Sequence, residues 1–106
     1  MKLGIILETK EHEKAWNGFR LAIASLKQGH EVKIFLMGEG VEVEDITDEK
    51  FNVSEKMHEF LDDGGKILAC GTCIKSRHRE DSTECPISTM IDCVEMIDWS
   101  DNTVTI

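Results

Sequence analysis

Lys66-Ile67-Leu68-Ala69-Cys70-Gly71-Thr72-Cys73-Ile74-Lys75-Ser76-Arg77 is the stretch on which the reading of this chain turns. Its first part, Ile67 to Ala69, is a short apolar run of strand length. A Cys-Gly-Thr-Cys turn follows, then a polar segment able to open a helix. The stretch reads as a strand handing over to a helix, with two thiols in the loop at the carboxyl end of a sheet. Open α/β sheets place their chemistry there.

Upstream, Asn52-Val53-Ser54-Glu55 has the spacing of a capping box, with Asn in place of the usual Ser or Thr. It predicts a helix whose buried stripe is Val53, Met57, Phe60 and Leu61 and which Gly64-Gly65 ends. Glu31 to Met37 is too apolar for an exposed edge and predicts a second strand, after a Gly29-His30 turn. Between these, Gly38-Glu39-Gly40 breaks the pattern, and the acidic Val41 to Asp48 segment reads as a short helix or a loop capping the sheet end. Lys14 to Lys27 carries Ala15, Trp16, Phe19, Ala22, Ile23 and Leu26 at helical spacing, with Thr9, Glu11 and Glu13 suited to its start and Lys27 and Gly29 to its end. Leu3 to Leu7 is a nearly continuous apolar run, the pattern of an interior strand covered on both faces.

Downstream, Ile74 to Arg79 has room for a turn or two of helix, and Glu80 to Glu84 reads as a polar loop. Pro86 precedes Ile87, Met90, Ile91, Val94 and Ile97, which share one helical face and predict a last helix from about Ile87 to Ile97. Thr103 to Ile106 closes the chain as a strand. Strands and helices alternate from the amino terminus, so the fold class is α/β. The expectation is one domain over residues 1–106, a three-layer α/β/α sandwich around a mostly parallel sheet of about five strands.

The composition fits a folded chain: 41% of its 106 residues are hydrophobic, 31% are charged, and there is one proline. Twenty-one acidic against 12 basic side chains leave a net charge of −9. Such a surface repels phosphate, which argues against nucleic acid and anionic membrane as partners. The apolar run near the amino terminus is too short for a signal sequence or a membrane span, so the expected compartment is the cytoplasm. Cys70, Cys73, Cys85 and Cys93 are then expected as thiols rather than as a disulfide framework.

A cysteine at a helix start has its thiolate favoured by free backbone N–H groups, which lowers its pKa from about 8.5. Lys75, Arg77 and Arg79 predict local positive charge around Cys70 and Cys73. The plain alternative is that Cys70 is a small apolar residue ending a buried strand. Three chemistries compete for the pair. A dithiol redox site of thioredoxin type places its motif earlier in the chain and needs a facing cis-proline, for which Pro86 is ill placed. A zinc site could recruit Cys70, Cys73, His78 and Cys85, at a spacing that matches no standard finger. In sulfur transfer, one thiolate holds a sulfane sulfur as a persulfide. Elsewhere, Cys93 reads as core and Cys85 as a loop thiol able to approach the site. His78 is near enough to stabilise a thiolate, and His12, His30 and His58 read as solvated. Trp16 and Phe19 read as core, and the acidic run as a solvated face or docking surface.

The amino-terminal strand, the Ala15-Trp16-Asn17-Gly18-Phe19-Arg20-Leu21-Ala22 helix, the Val32 to Gly38 strand and turn, and Cys70 to Arg77 together resemble the DsrE/DsrF-like (YchN-like) sulfur-relay family. The resemblance spans nearly the whole chain. It implies a sulfur carrier in which Cys70 accepts persulfide sulfur and passes it on, with Cys73 as a second thiol present in some relatives. It further implies sulfur donor and acceptor proteins as partners, no cofactor or metal, and a homo-oligomer, a trimer or hexamer, whose neighbouring subunits wall the cysteine site. Any catalysis would be that of a sulfurtransferase-like carrier rather than a multiple-turnover enzyme. The alternative is an oligomeric metal-binding or redox-sensing thiol protein of the same fold.

Overall fold

Five strands, all paired in parallel, form one sheet of order β4-β3-β2-β1-β5 in the computed structural model, which describes residues 1–79 and 87–106. The strands are β1 (Lys2–Leu7), β2 (Glu31–Leu36), β3 (Lys66–Cys70), β4 (Ile87–Ser88) and β5 (Asn102–Thr105); the α-helices are α1 (His12–Lys27), α2 (Val53–Asp62), α3 (Gly71–Ser76) and α4 (Met90–Trp99). A 3-10 helix, Gly38–Asp45, follows β2.

Residue alternation along the strands sorts the layers. Leu3, Ile5 and Leu7 of β1 sit in register with Val32, Ile34 and Leu36 of β2, and all are buried against α1 and α2. Phe19 of α1 and Phe60 of α2 meet edge to face at 6.1 Å between ring centres, neither exposed to solvent. Burying each such ring contributes about 1.5–3 kcal/mol. Gly4, Lys33 and Lys66 share the opposite face by register. A Cβ at Gly4 would run into Ser100 Oγ and stand 3.3 Å from the Met96 Cε, so α4 lies on that side. Right-handed crossovers account for this division. The chain steps outward from β1 to β3 with α1 and α2 on one face, then returns from β4 to β5 beside β1, which puts α4 on the other. The expected three-layer α/β sandwich is the fold observed, with a wholly parallel sheet.

Local signals explain most element ends. Glu11 caps α1, its carboxylate accepting from the Glu13 and Lys14 amides, and Gly29 takes φ 87° after the helix. Asn52 caps α2 by accepting from the Glu55 amide. Gly64 takes φ 98° after that helix, and Gly65 leaves room for the Phe60 ring, which a Cβ there would strike.

Four expectations are corrected. Ile87 and Ser88 do not begin the last helix: they pair with Ala69 and Cys70 as β4, and Thr89 caps α4 through a capping box with Asp92. The apolar face expected to be buried on that helix is the outer one. Met90, Ile91, Val94 and Ile97 are 44–70% exposed, while Cys93 and Met96 are buried. Leu61, assigned to the buried stripe of α2, is also exposed, and Trp16 is half-buried, edge-on to Phe51 at 5.2 Å with Arg20 over its other side. No helix among the described residues is long and apolar enough to cross a membrane.

Candidate functional site

Cys70 is the last residue of β3 and the N-cap of α3, so the hand-over from strand to helix falls where expected, with the helix beginning at Gly71. By alternation from Lys66, its side chain is on the α4 face of the sheet. Gly71 permits the join. A Cβ there would stand 2.8 Å from Ile87 Cγ2 and 3.2 Å from the Ser88 carbonyl oxygen, so a larger residue would push β4 away from the start of α3.

Cys70 and Cys73 line one cavity of about 410 Å³, walled by Gly71, Thr72 and Lys75 on one side and by Ile87, Ser88, Thr89 and Met90 on the other. Cys70 is only 4% exposed, whereas Cys73 is half-buried. The Gly38 amide donates to Cys73 Sγ at 3.2 Å, which ties the 3-10 helix to the second thiol. Gly38 has φ 56°, a left-handed conformation that glycine adopts at little cost. The site lies at the carboxyl end of the sheet but over β3 and β4, away from the reversal of strand order between β1 and β5.

Burial pushes the Cys70 thiol above its ordinary value of 9.0; the Cys73 amide opposes this, the Cys73 thiol and its charge reinforce it, and the Thr72 amide opposes it. The first-turn amides favour the thiolate but make no capping hydrogen bond to the sulfur, and the expected lowering does not follow. Removing a thiolate from water outweighs their pull on a helix of six residues. Cys93 is buried on the inner face of α4, and its thiol is raised by burial and then by the charge of Cys70. It is core, as read, but it also belongs to the surroundings of Cys70, a proximity that no spacing in the sequence signals.

The positive charge expected around the thiols is largely compensated. Arg77 Nε lies 2.9 Å from Glu42 Oε2, and its Nη1 donates to the Cys73 carbonyl oxygen at 3.2 Å. Arg79 reaches Asp45 Oδ2 at 2.6 Å and Glu44 Oε1 at 3.5 Å. The acidic segment read as a solvated face or docking surface is therefore a clamp. Its Val41 and Val43 are buried, and its carboxylates hold the two arginines that follow α3. Glu42 has its pKa lowered, chiefly by the hydrogen bond from Arg77, with Lys10 adding at 3.6 Å. Lys75 makes no ion pair among the described residues and lines the cavity.

His78 is exposed, with φ 52°, and its amide donates to the Lys75 carbonyl oxygen. Among the described residues it makes no hydrogen bond to a thiol. Cys85 and Pro86, weighed as neighbours of the site, lie outside the described residues. Among the described residues no group of three or more His, Cys, Asp or Glu side chains is placed to hold a metal ion.

Relatives and known structures agree with this architecture. The chain is 36% identical over 98 residues to the uncharacterized protein MK0008 of Methanopyrus kandleri, covering 87% of this chain and 81% of that protein. It is 34% identical over 113 residues to the uncharacterized protein MJ0989 of Methanocaldococcus jannaschii, covering 99% of each. The crystal structure of the YchN protein from E. coli superposes with a TM-score of 0.86 at 20% identity over the whole of both chains. BT1422 of Bacteroides thetaiotaomicron, a conserved protein of unknown function, does so with a TM-score of 0.82 at 22% identity over 99% of this chain and 94% of that one. The DsrE/DsrF-like family model matches residues 1–106, and the chain belongs to the DsrE/DsrF-like family.

Proposed function

We propose that this protein is a sulfur carrier that takes up sulfane sulfur on Cys70 and passes it on. The observation that carries the reading is the placement of Cys70 and Cys73 on one cavity at the carboxyl end of the sheet, in a family associated with sulfur relay. In the loading step the Cys70 thiolate attacks the outer sulfur of a donor persulfide. A new S–S bond forms on Cys70, the donor's S–S bond breaks, and its electron pair leaves with the donor thiolate, with no net oxidation. The added sulfur extends from the buried Sγ into the cavity, toward Lys75, where water and a cation meet the charge that burial denies to Cys70 itself.

A second copy of the chain fits this reading as a partner. Ile87 and Met90 line the cavity and continue into the exposed Ile91, Val94 and Ile97 of α4, an apolar face that association would bury. A subunit seated there would also close one side of the cysteine cavity.

Intact-mass analysis after treatment of the reduced protein with a sulfane-sulfur donor tests the carrier function. The expected result is a gain of one sulfur that is absent in Cys70→Ser. A folded, reduced protein that neither gains sulfur on Cys70 nor releases it as hydrosulfide would rule the reading out.

A further inference from the structure

We infer that Cys73 is a resolving thiol: it attacks the sulfur of a persulfidated Cys70, closes a Cys70–Cys73 disulfide and expels the carried atom as hydrosulfide. The inference rests on Cys70 being the sulfur acceptor and adds a second activity, persulfide reduction, to carriage. The balance is complete. The Cys73 thiolate forms a bond to Cys70 Sγ, the bond from Sγ to the outer sulfur breaks, and the electron pair leaves with HS⁻. The outer sulfur gains one electron and the Cys73 sulfur loses one, while Cys70 Sγ, bonded to one sulfur before and after, keeps its oxidation state. A small dithiol, oxidised in turn to its own disulfide, restores both cysteines.

Four features of the structure support this role. The two thiols line one cavity, Cys70 from the N-cap of α3 and Cys73 from its first turn. Cys73 Sγ is held in place by the Gly38 amide, which donates to it at 3.2 Å. Cys73 is half-exposed while Cys70 is buried, so an external dithiol reaches the disulfide from the Cys73 side. The shared cavity receives the leaving hydrosulfide beside Lys75. Cys93, the other thiol near Cys70, is buried on α4 and does not line the cavity, so it has no such route. Holding the two sulfurs in one turn gives Cys73 an advantage over any external thiol at cellular concentration.

The reduced full-length protein is loaded anaerobically with an alkyl persulfide, freed of excess reagent, and followed by intact mass and sulfide release. The wild type is expected to lose the added sulfur, release one hydrosulfide per loaded site and finish two hydrogens lighter than the reduced chain. Cys73→Ser is expected to load and to keep its sulfur roughly tenfold longer or more, since its intramolecular nucleophile is gone. A dithiol should return the discharged wild type to the thiol form and allow a second round. If the wild type holds its persulfide as long as Cys73→Ser, with no disulfide, the resolving role is overturned while carriage stands. If Cys73→Ser is folded but never gains sulfur, Cys70 is not the acceptor and both readings fall.

Discussion

Arg77 is bound to Glu42, Nε to Oε2 at 2.9 Å, across 35 residues of sequence, and the same guanidinium holds the carbonyl oxygen of Cys73. One side chain thus ties the end of α3 to the 3-10 helix whose first amide contacts the Cys73 sulfur.

Replacing Arg77 by Met removes that tie. Both partners are partly exposed, which screens the pair, so the expected loss of stability is about 0.5–1 kcal/mol by urea denaturation. The pH dependence has a defined sign. Glu42 is held below its ordinary value of 4.5, so its contribution is present above that value and is lost as pH falls through the lowered one. The acid side of the stability curve should therefore be shallower in Arg77→Met than in the wild type.

The thiols should react in a fixed order. Near neutral pH iodoacetamide is expected to alkylate Cys73 first, Cys70 slowly and Cys93 least, as mapped by peptide mass spectrometry, because reaction needs both access and thiolate. Burial holds Cys70 above 9.0, so its rate should climb only as pH passes that value. The same shift means that the stability owed to the neutral Cys70 thiol is present below its ordinary value and is lost as pH rises through the raised one. Equal rates for Cys70 and Cys73 near neutrality would contradict this geometry.

Gly40→Ala is expected to disturb the site from outside it. A Cβ at Gly40 would collide with the Leu7 carbonyl group, which is backbone and cannot turn aside. Overpacking of this kind costs about 1–3 kcal/mol. The 3-10 helix should shift, weaken the contact between Gly38 and Cys73 and change the alkylation rate of Cys73. An unchanged rate with reduced stability would show that the second thiol does not depend on this helix.

The outer face of α4 predicts assembly. Wild-type protein should sediment as an oligomer, and Ile91→Asp with Val94→Asp should shift it to the monomer with its circular dichroism retained. Both side chains are more than half exposed in the single chain. Their replacement should therefore leave protomer stability within about 0.5 kcal/mol. A wild-type chain that sediments as a monomer at micromolar concentration would refute the role assigned to this face.

The parts legible in the sequence are those governed by local order. β1 and β2 announce themselves as continuous apolar runs, α1 as a stripe from Ala15 to Leu26, and α2 by Asn52 and its spacing to Glu55. The strand end at Cys70 is equally plain, because Ile67 to Ala69 are apolar and the polar run begins at once. β4 was not legible. Two residues carry no period, and Ile87 and Ser88 are a strand only because the edge of β3 is there to pair with them. The apolar period of α4 was legible, but its direction was not: a stripe shows which residues share a face and not whether that face meets the sheet or solvent.

By itself, then, the sequence determined the alternation of strands and helices, the position of two thiols at a strand end and the acidity of the whole, since these follow from spacing and composition. Only the tertiary structure decided the state of the site. Arg77 and Arg79 look like a positive field around the cysteines until the fold brings Glu42, Glu44 and Asp45 against them. Cys70 looks like an activated thiol until β4 and α4 remove it from water. The physical reason is common to both cases: charge and proton affinity depend on what surrounds a group in space, and that is set by residues distant in the chain.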